Sequence, residues 1–406
     1  MIAAVIFAAL MSAPKEFGAL PLPAAVQDAV ANSPDVEQAR QHVNESASLL
    51  AAARSGAAPA LIANYAQAPQ GGNKNNTITQ RLTTVGAQVT VGDYLIRAPL
   101  TRQAEFALDQ ARFDLIAAEH TERVKAIGLY YSALRAWATL QLRRTDDAGA
   151  GADLRAAQIR FKAGDAPRLD VVRAQVALAG AQAALDGAQV EVENRYRALE
   201  VETGTSSSTL VRIGLAPRAL PEAIDPHRAV TRALAFRGDL SSANAAVKSE
   251  LAAVAAADRG VLPSVTVNAG YTRGVDSGIT VGGPSANVNL TLPVSHAASY
   301  RAQSERFRMA AAQARVESIK RQIAVETGAA ARTYAESIRA AHSAAQARAA
   351  ADEELRATQT GYRNGASSSL DVADARRTYV TAALNELDAV YAQAQSAALL
   401  EMEMEP

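Results

Sequence analysis

Histidines, cysteines and spaced carboxylates are the residues with which a chain of 406 residues would most readily build a metal site or a hydrolytic centre. This chain has five histidines, His42, His120, His227, His296 and His342, and no cysteine. None of the histidines stands at metal-ligand spacing from another histidine or from a carboxylate pair, and no HExxH, GxSxG or P-loop pattern occurs. Gly149-Ala150-Gly151 opens a GxG but lacks the third glycine and a preceding strand. Without cysteine in this sequence, no thiolate ligand, structural disulfide or lipid-anchored N-terminal Cys is expected. No catalytic residue, metal or cofactor is therefore expected, and the chain does not read as an enzyme. Its 41 basic and 41 acidic residues balance and are scattered, so nothing recommends nucleic acid as a partner. Most acidic residues read as solvated helix faces.

The elements that carry these residues fall into two similar halves. Arg160-Phe-Lys-Ala-Gly-Asp-Ala-Pro-Arg-Leu-Asp-Val-Val-Arg-Ala174 recurs as Gly361-Tyr-Arg-Asn-Gly-Ala-Ser-Ser-Ser-Leu-Asp-Val-Ala-Asp-Ala375, at an offset of 201. Phe161 pairs with Tyr362, Gly164 with Gly365, Leu169 with Leu370 and Asp170 with Asp371. Matches at Ala25-Val26 with Ala229-Val230 and at Gln110–Arg112 with Gln313–Arg315 have offsets of 204 and 203. Such agreement predicts an internal duplication of a unit too long for a solenoid repeat. The expected organisation is a leader over 1–21, a first repeat over 22–214, a linker over 215–228, a second repeat over 229–402 and a tail over 403–406. The leader rests on the apolar run Met1–Ala13, although a basic n-region is missing.

No proline falls between Pro99 and Pro167, or between Pro293 and Pro406, and these windows are rich in Ala, Leu, Gln, Glu and Arg. Each half should hold a helix of about 60 residues, roughly 90 Å long, and a shorter helix returning from Leu169 or Leu370. Gly164 and Gly365 then supply the left-handed turn between antiparallel helices. Pro167 suits the start of one return helix, and Ser368 or Ser369 can cap the other. Ala148–Gly151 should be a soft or bent point.

Strict alternation marks the strands, at about 60–92 in one half and 263–293 in the other. Val85, Ala87, Val89 and Val91 alternate with Gly86, Gln88, Thr90 and Gly92; Val265 to Tyr271 and Ala286 to Leu292 repeat the pattern, and Leu61–Gln67 shows it weakly. Turn-rich segments at 71–76 and 274–284 make each pair a hairpin, with strands of membrane length. Tyr65, Tyr94, Tyr271 and Tyr300 are candidate interface aromatics. No run is apolar enough for a transmembrane helix. Four strands do not close a barrel, and open edges are not tolerated in lipid. If these strands span a membrane, several chains must pool them, and three chains would give twelve strands.

The duplicated aromatic-x-x-Gly-x-x-x-x-Leu-Asp-Val-x-x-Ala motif, with the strand opening at Pro263–Tyr271 and the Asn-Leu-Thr-Leu-Pro run ending at Pro293, resembles the TolC family of outer-membrane efflux proteins over residues 22–402. The resemblance implies a mainly α fold with a β-barrel portion. Long antiparallel helices would form a trimeric α-barrel tunnel in the periplasm, and four strands per chain would contribute to a shared 12-strand transmembrane barrel. It implies a homotrimer in outer-membrane lipid, docked to a periplasmic adaptor and an inner-membrane pump. The function it implies is the passive exit duct of a tripartite efflux or type I secretion system.

By motif position, Asp371 and Asp374 match the acidic residues that line the family's constriction. Their spacing places them on one helix face. In a trimer they would form rings of carboxylates that favour cations and whose crowding raises their pKa values. The plainer alternative is that they are first-turn aspartates favoured by the helix dipole. Tyr362 and Asp170 match positions whose hydrogen bond holds the family's gate shut; packing of an aromatic at a helix end is the alternative there. Ser367 replaces an arginine of the family's lock, leaving Arg363 or Arg168 as candidate substitutes. Gly92–Leu95 stands where many members have a proline-containing turn. A competing reading of the whole chain is a periplasmic coiled-coil adaptor or structural protein, which would leave the alternating strands without a role.

Overall fold

A computed structural model describes residues 20–55, 59–70, 78–205, 224–259, 262–276, 279–292 and 296–404. Nearly all of the expected leader, most of the 215–228 linker and the turn at 71–76 lie outside the described residues, as do Pro293 and the last two residues. The elements are α1 (Leu22–Asn32), α2 (Pro34–Ser55), β1 (Ala60–Gln70), β2 (Ile78–Thr90), α3 (Val91–Ala163) and α4 (Arg168–Thr203). Then follow α5 (Pro226–Phe236), α6 (Gly238–Arg259), β3 (Ser264–Asp276), β4 (Ile279–Thr291), α7 (Ala297–Arg363) and α8 (Ser369–Glu403). Two helices, two strands and two helices thus occur twice in the same order. No described helix is long and apolar enough to cross a membrane.

The chain divides into two compact units. The first holds residues 1–37, 117–237 and 321–406 and is helical in its described part. Its core draws on Ile127, Tyr130, Tyr131 and Leu134 of α3, Tyr196 and Leu199 of α4 and Tyr391 and Ala394 of α8. Alanines such as Ala25, Ala133 and Ala394 are almost fully buried, which lets helix backbones approach closely. Tyr130 and Tyr131 meet edge to face at 5.8 Å, and the Tyr130 hydroxyl donates to the Leu20 carbonyl at 3.1 Å. Burial pushes the Tyr196 and Tyr391 phenols up to about 12. Beside this core, buried Glu122 accepts from Ser33 Oγ at 2.9 Å, and Lys125 pairs with Glu202 at 2.5 Å.

The second unit holds residues 38–116 and 238–320, including the strands. They form one antiparallel sheet in the order β1-β2-β3-β4. The two hairpins are therefore joined by β2–β3 pairing, where Gly86 faces Gly270 and a Cβ on either would meet the opposite backbone. The strands have 11, 13, 13 and 13 residues. The alternation resolves into two faces. Thr84 bonds Thr272 at 2.9 Å, Thr272 donates to Ser285 at 3.0 Å, and Asn268 donates to Asn287 at 2.7 Å. On the other face Leu61, Tyr65, Val85, Val267, Tyr271 and Val288 are exposed. An exposed apolar sheet face of this extent is what a lipid contact requires.

The strand expected to reach about residue 92 ends at Thr90. The chain passes from β2 into α3 with no loop, so Gly92–Leu95 is helical backbone and Pro99 lies within the helix. Its ring costs one ladder hydrogen bond, which the rest of a 73-residue helix tolerates. The helix also runs unbroken through Ala148–Gly151. Gly149 is also a close approach: a Cβ there would collide with the Arg376 guanidinium. Tyr300 lies in the first turn of α7, and the Tyr94 side chain is outside the described residues.

Candidate functional site

The helix turns of the first unit bring the duplicated motif residues into view. Gly164 and Gly365 have φ of 84° and 80°, the left-handed region in which a side chain is strained. Each turn closes with the same bonds. Gly164 N donates to Phe161 O at 3.1 Å and Asp165 N to Arg160 O at 2.9 Å; Gly365 N donates to Tyr362 O at 3.2 Å and Ala366 N to Gly361 O at 2.8 Å. These are C-terminal helix caps of the Schellman type. α4 starts after Pro167 as N-cap, with no side-chain bond; α8 starts from Ser368, which forms a capping box with Asp371. Asp371 N donates to Ser368 Oγ at 3.2 Å and Ser368 N to Asp371 Oδ2 at 2.8 Å.

The two turns differ in packing. Phe161 is 44% exposed, whereas Tyr362 is only 7% exposed; Leu169 and Leu370 stand outward at 52% and 46%. Arg160 explains the burial of Tyr362. Its guanidinium lies over the ring, 4.6 Å from the centroid, and also donates to the Tyr362 carbonyl. The expected bond between Tyr362 and Asp170 is not made. The Tyr362 hydroxyl is buried without a hydrogen-bond partner, and Asp170 accepts from Ser369 Oγ at 2.6 Å instead. Burial, then the Asp170 charge, raises the Tyr362 phenol above its ordinary range. Arg363 is exposed and bonds Gln359 O and Thr360 Oγ1 within its own helix. Arg168 is exposed.

A clamp that motif reading missed lies behind Tyr362. Arg376 of α8 donates from Nε to Asp153 Oδ2 at 2.8 Å, and its Nη2 lies 2.6 Å from the same oxygen, a charge-assisted grip on α3. Gln359 of α7 reaches the same carboxylate at 3.4 Å. Asp146 lies 3.9 Å from both Arg376 and Arg143, and burial raises its pKa against the pull of the two arginines. One signal for this clamp was present in the sequence. At the offset of 201, Arg160 faces Gly361 and Arg376 faces Gln175. Both arginines of these interhelix contacts stand where the other half has no charge.

Asp371 and Asp374 are both exposed. Asp374 pairs with Arg377 at 2.7 Å, and the bonds from Ser368 lower the Asp371 pKa. Within one chain the direction is thus opposite to that expected of a crowded ring.

Strands with an apolar outer face and a face of hydroxyls and amides, carried by helices too polar for lipid, define an outer-membrane channel. Within that class the chain belongs to the outer membrane efflux protein family, whose profile matches residues 25–205 and 229–402. It is 28% identical over 301 residues to the outer membrane protein TolC of Vibrio cholerae, covering 71% of this chain and 68% of that protein. Its fold is similar to that of a membrane protein from Pseudomonas aeruginosa, with a TM-score of 0.81 at 18% identity over 95% of this chain and 93% of the other. The Campylobacter jejuni CmeC outer membrane channel gives a TM-score of 0.79 at 16% identity, over 94% and 85%. The chain is accordingly an outer-membrane exit duct whose helical part lies in the periplasm. The family is one of channels, not of enzymes.

Proposed function

We propose that this chain acts as a homotrimeric, passive exit duct with no catalytic step of its own, gated at the helix turns around Gly164 and Gly365. The open sheet carries this reading. β1 and β4 each leave one edge unpaired, and lipid does not tolerate free backbone polar groups. Three copies edge to edge close a barrel of twelve strands. The duplicated element order supports treating residues 22–214 and 229–402 as two versions of one half. A periplasmic adaptor and an inner-membrane pump are the partners that such a duct needs, since nothing in it supplies energy.

The gate reading assigns Asp371 and Asp374 to pore lining, with the clamp of Arg376 on Asp153 and the Arg160–Tyr362 stack holding α7 and α8 against α3. Tyr362 and Asp170 contribute through burial and through Ser369 rather than through a mutual bond. Purified protein in a planar bilayer tests the duct directly. Discrete conductance steps are expected; protein that adds no conductance refutes the reading.

A further inference from the structure

The apolar face of the sheet carries two arginines that channel function does not use. In the four strands the charged residues are Arg81, Arg273 and Asp276, the last ending β3 at odd spacing from Arg273. Both arginines fall in the alternation that holds Tyr65, Val85, Tyr271 and Val275, and both are exposed. The register pairs Arg81 with Val275 and Thr83 with Arg273, so the arginines are diagonal neighbours. Their Cβ atoms then stand about 7–8 Å apart, within reach of one shared ligand.

Height explains why two charges persist on a lipid face. Arg273 is nine residues along β3 from Ser264. At a rise of about 3.3 Å per residue and a tilt of about 40°, it stands roughly 23 Å toward the hairpin turns. An apolar band is about 25 Å tall, so a band that starts near Ser264 would place the pair by its far edge, where a cation is tolerated and headgroup phosphate is within reach.

The surroundings are donors. Gln67 is opposite Arg81, and its Oε1 is occupied by the Tyr65 hydroxyl at 3.1 Å, which leaves the amide NH2 to donate. Gly282 is opposite Arg273; a Cβ there would lie 3.2 Å from the Tyr271 hydroxyl and 3.8 Å from Arg273 Cγ, so the glycine keeps a notch open beside the arginine stem. Among the described residues, no carboxylate pairs with either guanidinium. Two guanidinium forks, an amide and a hydroxyl on an apolar wall match a phosphate attached to acyl chains.

We propose that Arg81 and Arg273 bind the phosphate group of an outer-leaflet lipid. This rests on the outer-membrane channel reading. The test is native mass spectrometry of the full-length protein in detergent with three probes: lipid A carrying two phosphates, dephosphorylated lipid A and inorganic phosphate. Wild type should retain the phosphorylated lipid at least tenfold better than the dephosphorylated one. R81Q/R273Q should lose that preference, and R81K/R273K should keep part of it. Equal retention of the two lipids by wild type, undiminished preference in R81Q/R273Q, or binding of inorganic phosphate without lipid preference would each overturn the proposal. The wild-type comparison stands even if a variant fails to fold. Bilayer conductance of the same wild-type preparation separates the two claims. Conductance without lipid preference defeats this inference alone, whereas absence of conductance defeats the channel reading and the inference with it.

Discussion

Arg376 is the residue on which the proposed gate depends most. It is mostly buried and spans from α8 to Asp153 and Asp146 of α3. R376A would leave Asp153 without its cation and Asp146 with Arg143 alone, at a cost on the order of 3 kcal/mol. The expected outcome is a lower unfolding midpoint and a larger resting conductance in planar bilayers. G149A should act in the same direction but more weakly, because its methyl displaces only the flexible end of Arg376. The acidic residues call for a gentler substitution. D371N/D374N keeps an acceptor for the Ser368 backbone while removing charge, so it should reduce cation selectivity in reversal-potential measurements. Unchanged selectivity would place both residues outside the pore. Asp371 also sets a pH dependence. Its folded pKa lies below the ordinary 3.8, so its contribution is complete above the unfolded value and is lost as pH falls through the lowered one. Acid unfolding of wild type and D371N should converge only below about pH 4.

At the scale of elements, helix ends were the most legible feature and side-chain partners across helices the least. The turns at Gly164 and Gly365 follow from local rules, since a glycine at φ near 80° is a backbone requirement visible in one residue. The cap could be narrowed to Ser368 or Ser369, and Ser368 takes it while Ser369 bonds Asp170 instead. S368A should therefore cost about 1 kcal/mol of stability, readable as a lower unfolding midpoint, with no change in unit conductance if α8 remains folded. Partners across helices depend on rotation and register, which no motif encodes. For that reason the motif pairs Tyr362 with Asp170 while the structure stacks Arg160 on its ring, and no motif reveals that Gly149 accommodates Arg376. The strands were legible as two hairpins because period-two alternation is local. Their union through β2 and β3 was not, since that pairing spans residues far apart in sequence.

For the whole molecule, the sheet and the helices make opposite demands. The helices are alanine-rich with charged faces, suited to water and to close neighbours. The sheet exposes Leu61, Val85, Tyr271, Val288 and Leu290, which water does not favour. On the proposed function, further copies complete this sheet in a membrane and satisfy both demands. The most direct measurement is the detergent-corrected protein mass of material extracted from outer membranes, by light scattering on a sizing column. A mass near three times 42.4 kDa, less any cleaved leader, is the predicted result. A monomer, or protein recovered from the soluble fraction without detergent, would contradict the shared barrel.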